Sequence, residues 1–274
     1  PLVLTGLAAA VILLTAWVFY ARRQQHPMLD PALFTIPRFG LASLTITVAF
    51  AVMFGMFFGL AQFLQFVMGY SPLGAALRVA PFAVAMVAIA PRGPGLVKRF
   101  GAGRVMGSGL LLASAGCMAM SLLTADTSYP NVVAGIILLS SGMALTFPTA
   151  TTAIIGSLPL DKAGVASAVN DTTREVGAAV GIALLGSLLS AGYRRDLGGS
   201  LDALPLPPGA LEAVQDSVGV ALHVAGDAPA GVGGTIATAA RSAFAAGYSL
   251  SMVVGAAMLA AVAVLLIAKF PASD

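Results

Sequence analysis

Residues 163–190 read AGVASAVNDTTREVGAAVGIALLGSLLS. Nearly all of this stretch is small or apolar, and it is long enough to cross a bilayer. Three charges interrupt it. Asp171, Arg174 and Glu175 stand at i, i+3 and i+4, the spacing that puts side chains on one face of a helix. Asn170 flanks them. A charge inside a membrane helix costs a few kcal/mol or more, so it faces a bundle interior or a water-filled cavity rather than lipid. The stretch therefore predicts a spanning helix that borders something polar.

The rest of the chain agrees with that reading. It is 58% hydrophobic and 9% charged, with a mean hydropathy of +0.95, whereas a soluble domain carries about 25% charge. The apolar runs are unbroken rather than alternating over ~10 residues, which indicates helices and not a barrel. The fold class is an all-α polytopic membrane protein with seven transmembrane helices. The single cysteine, Cys117, lies mid-helix and reads as a small packing residue. His26 and His223 have no companions at metal-ligand spacing. No phosphate-binding loop, dinucleotide fingerprint or HExxH motif occurs, so neither cofactor nor metal is expected. No nucleic-acid partner is expected either. A membrane enzyme or sensor would need catalytic groups clustered at an interface, and the sequence offers none.

In order, the predicted spans are 2–20, 41–68, 73–96, 105–125, 131–157, one from 163 onward, and 243–268. Residues 21–40, with three prolines, read as a cytoplasmic interfacial elbow. Residues 41–193 hold five transmembrane helices, 194–241 an extracytoplasmic loop with a short amphipathic helix at 210–224, and 242–270 the last span. Residues 271–274 form a cytoplasmic tail. The chain opens on Pro1 inside an apolar run without a basic leader, and reads as the C-terminal portion of a longer protein. Lys and Arg set the orientation. With the first span ending in the cytoplasm, that side holds Arg22, Arg23, Arg38, Arg92, Lys98, Arg99, Arg104, Lys162 and Lys269, against Arg194, Arg195 and Arg241 outside. The C-terminus is then cytoplasmic. Gly55/Gly59, Gly103/Gly107, Gly177/Gly181 and Gly247/Ser251/Gly255 are small-xxx-small patterns of the kind that lets helix backbones meet.

Four stretches together resemble one family. HPMLDPALFTIPRF (26–39), GYSPLGAALRVAPFA (69–83), GPGLVKRFGAGRV (93–105) and GVASAVNDTTREVGAAVGIALLGSLL (164–189) are similar, in that order, to the C-terminal half of a major facilitator superfamily transporter. More narrowly, they resemble the fourteen-span drug:proton antiporters. The resemblance implies that residues 1–20 are a linker transmembrane helix and the remaining spans one six-helix half. It also implies proton-coupled multidrug efflux by alternating access, from a bacterial plasma membrane, with substrate bound between two halves. An exporter of a native lipid or metabolite working the same way is the alternative.

The partners expected are a hydrophobic or amphipathic small molecule, protons, the lipid bilayer and an N-terminal half of the same transporter. Asp171 and Glu175, with Arg174, are the proton-coupling candidates: burial disfavours a charged carboxylate while Arg174 favours it. Equally, Arg174 reads as a brace between helices. Phe50, Phe54, Phe58, Gln62 and Gln65, with Asn170, are the candidate substrate cavity, since aromatic rings with a few amides suit bulky apolar ligands. Arg99, Gly101 and Arg104 match the cytoplasmic loop motif, but Lys98 stands where the family usually has an acidic residue. No charge relay through that loop is implied.

Overall fold

The computed structural model describes residues 12, 13, 15, 16, 19, 20, 23, 31–201 and 210–271. The described residues of the first predicted span are helical and exposed; the rest of that span, residues 21, 22 and 24–30 of the elbow, residues 202–209 of the predicted loop and residues 272–274 lie outside the described residues. Among the described residues every regular element is a helix.

After a 3-10 turn at Pro31–Thr35, α1 runs Pro37–Gln62. It starts on proline, whose missing N–H costs nothing at a first helical position. A π-helical turn, Phe63–Val67, continues it up to Gly69, which takes φ 74°. The Ser71 hydroxyl accepts from the Gly74 N–H at 3.1 Å and caps α2, Pro72–Arg78. Helices α3 (Ala80–Ile89) and α4 (Gly93–Phe100) follow, joined by a 3-10 turn at Ala90–Arg92. Pro81, Pro91 and Pro94 each stand near the start of one of these pieces. A proline removes a ladder hydrogen bond and restarts the helix after it, so Pro72–Phe100 is one segmented rod. Then come α5 (Ala102–Ser121), α6 (Tyr129–Ile155, with Pro148 inside), α7 (Ala163–Leu201), α8 (Ala210–Asp216), α9 (Val218–Asp227) and α10 (Ala230–Lys269).

The rods form one bundle. Helix α5 lies between α6 and α10, and α7 between α1 and α10, while the α2–α4 rod reaches the bundle mainly through α6. Glycines let the backbones close. A Cβ at Gly181 would collide with the backbone of Ala51, and one at Gly142 with that of Gly109 and Ala113. Helices in lipid gain little from burying apolar surface against each other, so such close van der Waals contact and hydrogen bonds hold them. One of those bonds runs from the Ser114 hydroxyl to the Ala256 carbonyl at 2.8 Å, joining α5 to α10. Cys117 is free and fully buried, a packing residue.

Two expectations are met only in part. Five helices among the described residues, rather than seven, are long and apolar enough to cross a membrane: Pro37–Val67, Pro72–Phe100, Tyr129–Ile155, Leu160–Gly198 and Gly231–Lys269. The predicted first span falls mainly outside the described residues. The predicted fourth, α5, has 20 residues, about 30 Å of helix, but Arg104 and its glycines and serines make it less apolar. Second, the described residues of 194–241 are largely helical. Helix α7 continues to Leu201, α10 begins at Ala230, and the predicted amphipathic helix is two helices broken at Ser217. The Tyr193 hydroxyl donates to the Val214 carbonyl (2.8 Å), Arg194 pairs with Asp216 (2.8 Å), and Arg241 Nε donates to the Phe66 carbonyl (3.2 Å). These bonds tie α8 to α7 and the π-turn to α10.

Candidate functional site

Helix α7 buries a narrow ridge: Ala166, Val169, Asn170, Thr173, Gly177, Gly181 and Leu185. That spacing of three and four residues is one stripe of an α-helix. Gly177 meets the Thr47 carbonyl and Gly181 that of Ala51, so α7 runs parallel to α1 in close register. The stripe decides what becomes of the four polar residues. Asn170 lies on it and is only 4% exposed. Arg174 sits at its edge with a side chain 35% exposed, whereas the Asp171 side chain is 69% exposed. Glu175 is exposed as well. The predicted single charged face is thus two adjacent ridges, one turned toward the bundle and one away.

Arg174 ties three helices together. Its Nη2 donates to the Thr151 hydroxyl of α6 at 3.0 Å, and that hydroxyl lies 3.3 Å from Asn170 Oδ1, to which it donates. Its guanidinium carbon stands 5.5 Å from the centre of the Phe50 ring on α1. The pair with Asp171 is loose, at 4.0 Å, and a half-exposed pair of that length contributes little. Glu175 makes no ion pair among the described residues. The Arg174 Nε is buried without a partner. Thr151, which the sequence did not single out, is the centre of this network.

The aromatic stripe continues from there. Phe50 packs on Phe147 of α6 at 4.7 Å between centroids and stacks with Phe54 at 6.0 Å. Phe54 and Phe58 are 38% and 43% exposed, and the Phe58 ring lies beside Gly186 of α7, where an added Cβ would come within 3.2 Å of it. Gln62 and Gln65 each donate back to their own helix, to the Phe58 and Ala61 carbonyls at 3.2 and 3.0 Å. The result is an open face on α1 and α7, apolar along most of its length and carboxylate-bearing at one end. That end is the basic one. Asp171 is eight residues past the start of α7, about 12 Å along it, and Thr151 is four residues from the end of α6. The charges therefore sit in the first third of α7 and not at its middle.

The loop motif lies at the same end. Gly101 joins α4 to α5 with φ 84° and ψ 154°, a conformation open in practice only to glycine. Arg99 lies against the Phe100 ring at 5.1 Å, and Arg99 and Arg104 are exposed without carboxylate partners among the described residues. Among the described residues no group of three His, Cys, Asp or Glu is placed to hold a metal.

Comparison with known proteins places the sequence. Residues 2–182 match the family described as Major Facilitator Superfamily. The multidrug efflux pump LfrA of Mycolicibacterium smegmatis is 32% identical over 259 residues, covering 93% of this chain and 51% of that protein. The multidrug resistance protein Stp of Mycobacterium tuberculosis is 33% identical over 235 residues, 82% of this chain and 44% of its own length. The tetracenomycin C resistance and export protein of Streptomyces glaucescens is 30% identical over 269 residues, 96% and 50%. The chain spans about half the length of these relatives.

Proposed function

The chain belongs to the Major Facilitator Superfamily, and from that premise we propose that it works as the C-terminal half of a proton-coupled exporter of hydrophobic or amphipathic drugs. It is a multi-pass membrane transporter, not an enzyme. The observation that carries the proposal is the open face of α1 and α7: apolar rings along it, and the carboxylates of Asp171 and Glu175 exposed at its basic end. Carboxylates on a membrane helix are costly against acyl chains, so this face borders water or another protein surface. In this reading an N-terminal half forms the second wall, in keeping with relatives about twice as long as this chain.

In this reading the basic end is cytoplasmic, by the excess of Lys and Arg there, and the C-terminus lies in the cytoplasm of a bacterial cell. Substrate enters the cleft at the mouth where Asp171 and Glu175 stand and slides along Phe50, Phe54 and Phe58. A carboxylate there releases its proton when the mouth opens inward, and a polar or cationic substrate competes with the proton for it. Arg174, held by Thr151, which Asn170 in turn anchors, braces α7 against α6. Pro148 and the π-turn at Phe63–Val67 are the points where α6 and α1 bend as the two halves rock in alternating access; both frustrate the regular helix ladder.

The test is drug efflux from vesicles holding the full-length transporter under an imposed pH gradient. With Asp171→Asn and Glu175→Gln combined, gradient-driven efflux is lost while substrate counterflow without a gradient persists. Unchanged gradient-driven efflux in that variant refutes coupling through these carboxylates.

A further inference from the structure

At the basic end of the bundle a hollow of ≈ 250 Å³ opens between α1, α4 and α6. Its walls are mainly apolar, built from Pro94, Val97, Pro148 and Ala153 together with Thr149 and Thr152, and two cations, Arg38 and Lys98, stand in its lining. No carboxylate lines it. Among the described residues neither cation forms an ion pair, and Arg38 Nε is buried with no hydrogen-bond partner at all. A buried donor without an acceptor is expensive, and among the described residues the guanidinium's charge stays uncompensated. Helix α5 adds to the positive field. Ala102, its first residue, lines the hollow, and no side chain caps the helix at Gly101; the free N–H groups of a helix start attract anions. The C-terminal end of α6 also lies here and draws cations, but Arg38 Nε reaches none of its carbonyls.

We propose that this hollow binds an anionic phospholipid, with the phosphate between Arg38 and Lys98 and the start of an acyl chain along the proline-lined wall. Free phosphate would use the same cations and leave the apolar wall empty; a phospholipid uses both. Basic pockets between helices on the side facing the anionic leaflet hold such headgroups. The binding seats the α4–α5 joint against α6, the helix that carries Pro148.

The experiment is native mass spectrometry of the chain in detergent, titrated with phosphatidylglycerol or with phosphatidylcholine of the same acyl chains. Phosphatidylglycerol stays bound in preference to phosphatidylcholine. R38Q/K98Q weakens its retention about 30-fold, the attraction of two surface cations for an anionic headgroup. R38K/K98R keeps it, and Arg92→Gln, an exposed cation at the same end but outside the hollow, leaves it unchanged. Inorganic phosphate does not displace the lipid. Equal retention by R38Q/K98Q, or displacement by inorganic phosphate, overturns the proposal. Should R38Q/K98Q fail to fold, a photoactivatable phosphatidylglycerol decides on the unaltered chain: labelling of residues 94–102 or 148–153 upholds the site, and labelling confined elsewhere overturns it.

Discussion

The Arg174–Thr151 link between α7 and α6 yields a measurable coupling. Thr151→Val keeps the shape of the side chain and removes its hydroxyl. Two bonds go with it: the one accepted from Arg174 Nη2 at 3.0 Å and the one donated to Asn170 Oδ1 at 3.3 Å. A hydrogen bond to a charged group contributes roughly 1.5–3 kcal/mol. Arg174 is about a third exposed, so water takes over part of that, leaving about 1 kcal/mol for the bond itself. Asn170 is almost fully buried, and its deprived carbonyl adds about 1 kcal/mol more. Thr151→Val therefore costs about 2 kcal/mol in all, by that reckoning. Arg174→Met, which loses the same bond and its contact with Phe50 but frees the chain of a buried unpartnered Nε, costs about 1 kcal/mol.

In the double variant the shared bond is counted once, so the two effects fall short of additive by about 1 kcal/mol. The assay comes from the chain itself. Cys117 is its single cysteine and is fully buried, so a fluorogenic maleimide reports opening of the bundle in detergent. Strict additivity, within about 0.3 kcal/mol, refutes the bond as a link between α6 and α7. It would leave Arg174 free for the substrate.

Two further outcomes concern the frame that holds this site. Gly181→Ala drives a methyl group into the backbone of Ala51, which cannot yield as a side chain can, so the α1–α7 contact opens at a cost of about 1–3 kcal/mol; Gly164→Ala, whose Cβ meets nothing, leaves maleimide kinetics unchanged. Gly101→Ala strains a residue with φ 84° by about 1–3 kcal/mol, read as a lower midpoint when maleimide labelling of Cys117 is followed against temperature, and equal midpoints for the two proteins would contradict the strain.

The spans that the structure describes were legible in the sequence because an apolar run of twenty residues has few other destinations. Their ends were not. Residues 194–201 and 230–242 carry Arg194, Arg195, Asp196 and Arg241 among glycines, so composition reads as loop. They are helical because Tyr193, Arg194 and Arg241 find partners at Val214, Asp216 and Phe66, all far along the chain. Contacts of that range leave no periodic trace in a local window.

The charged stretch shows the same divide more sharply. Residues 170, 171, 174 and 175 make two i,i+4 ridges, Asn170–Arg174 and Asp171–Glu175, about 100° apart on the helix. Spacing alone puts all four on one broad face and cannot say which ridge a neighbour covers. Gly177 and Gly181 decide it. They continue the Asn170 ridge and dock on Thr47 and Ala51, so Asn170 is drawn in with them and Asp171 and Glu175 are turned out. Thr151 was invisible for a related reason: a threonine in an apolar helix has no distinctive spacing, and its meaning comes only from the register of α6 against α7. The glycines that seemed a generic membrane feature therefore orient the chemistry. Moving the docking stripe by one ridge would bury both carboxylates against α1 and leave the open face without charge.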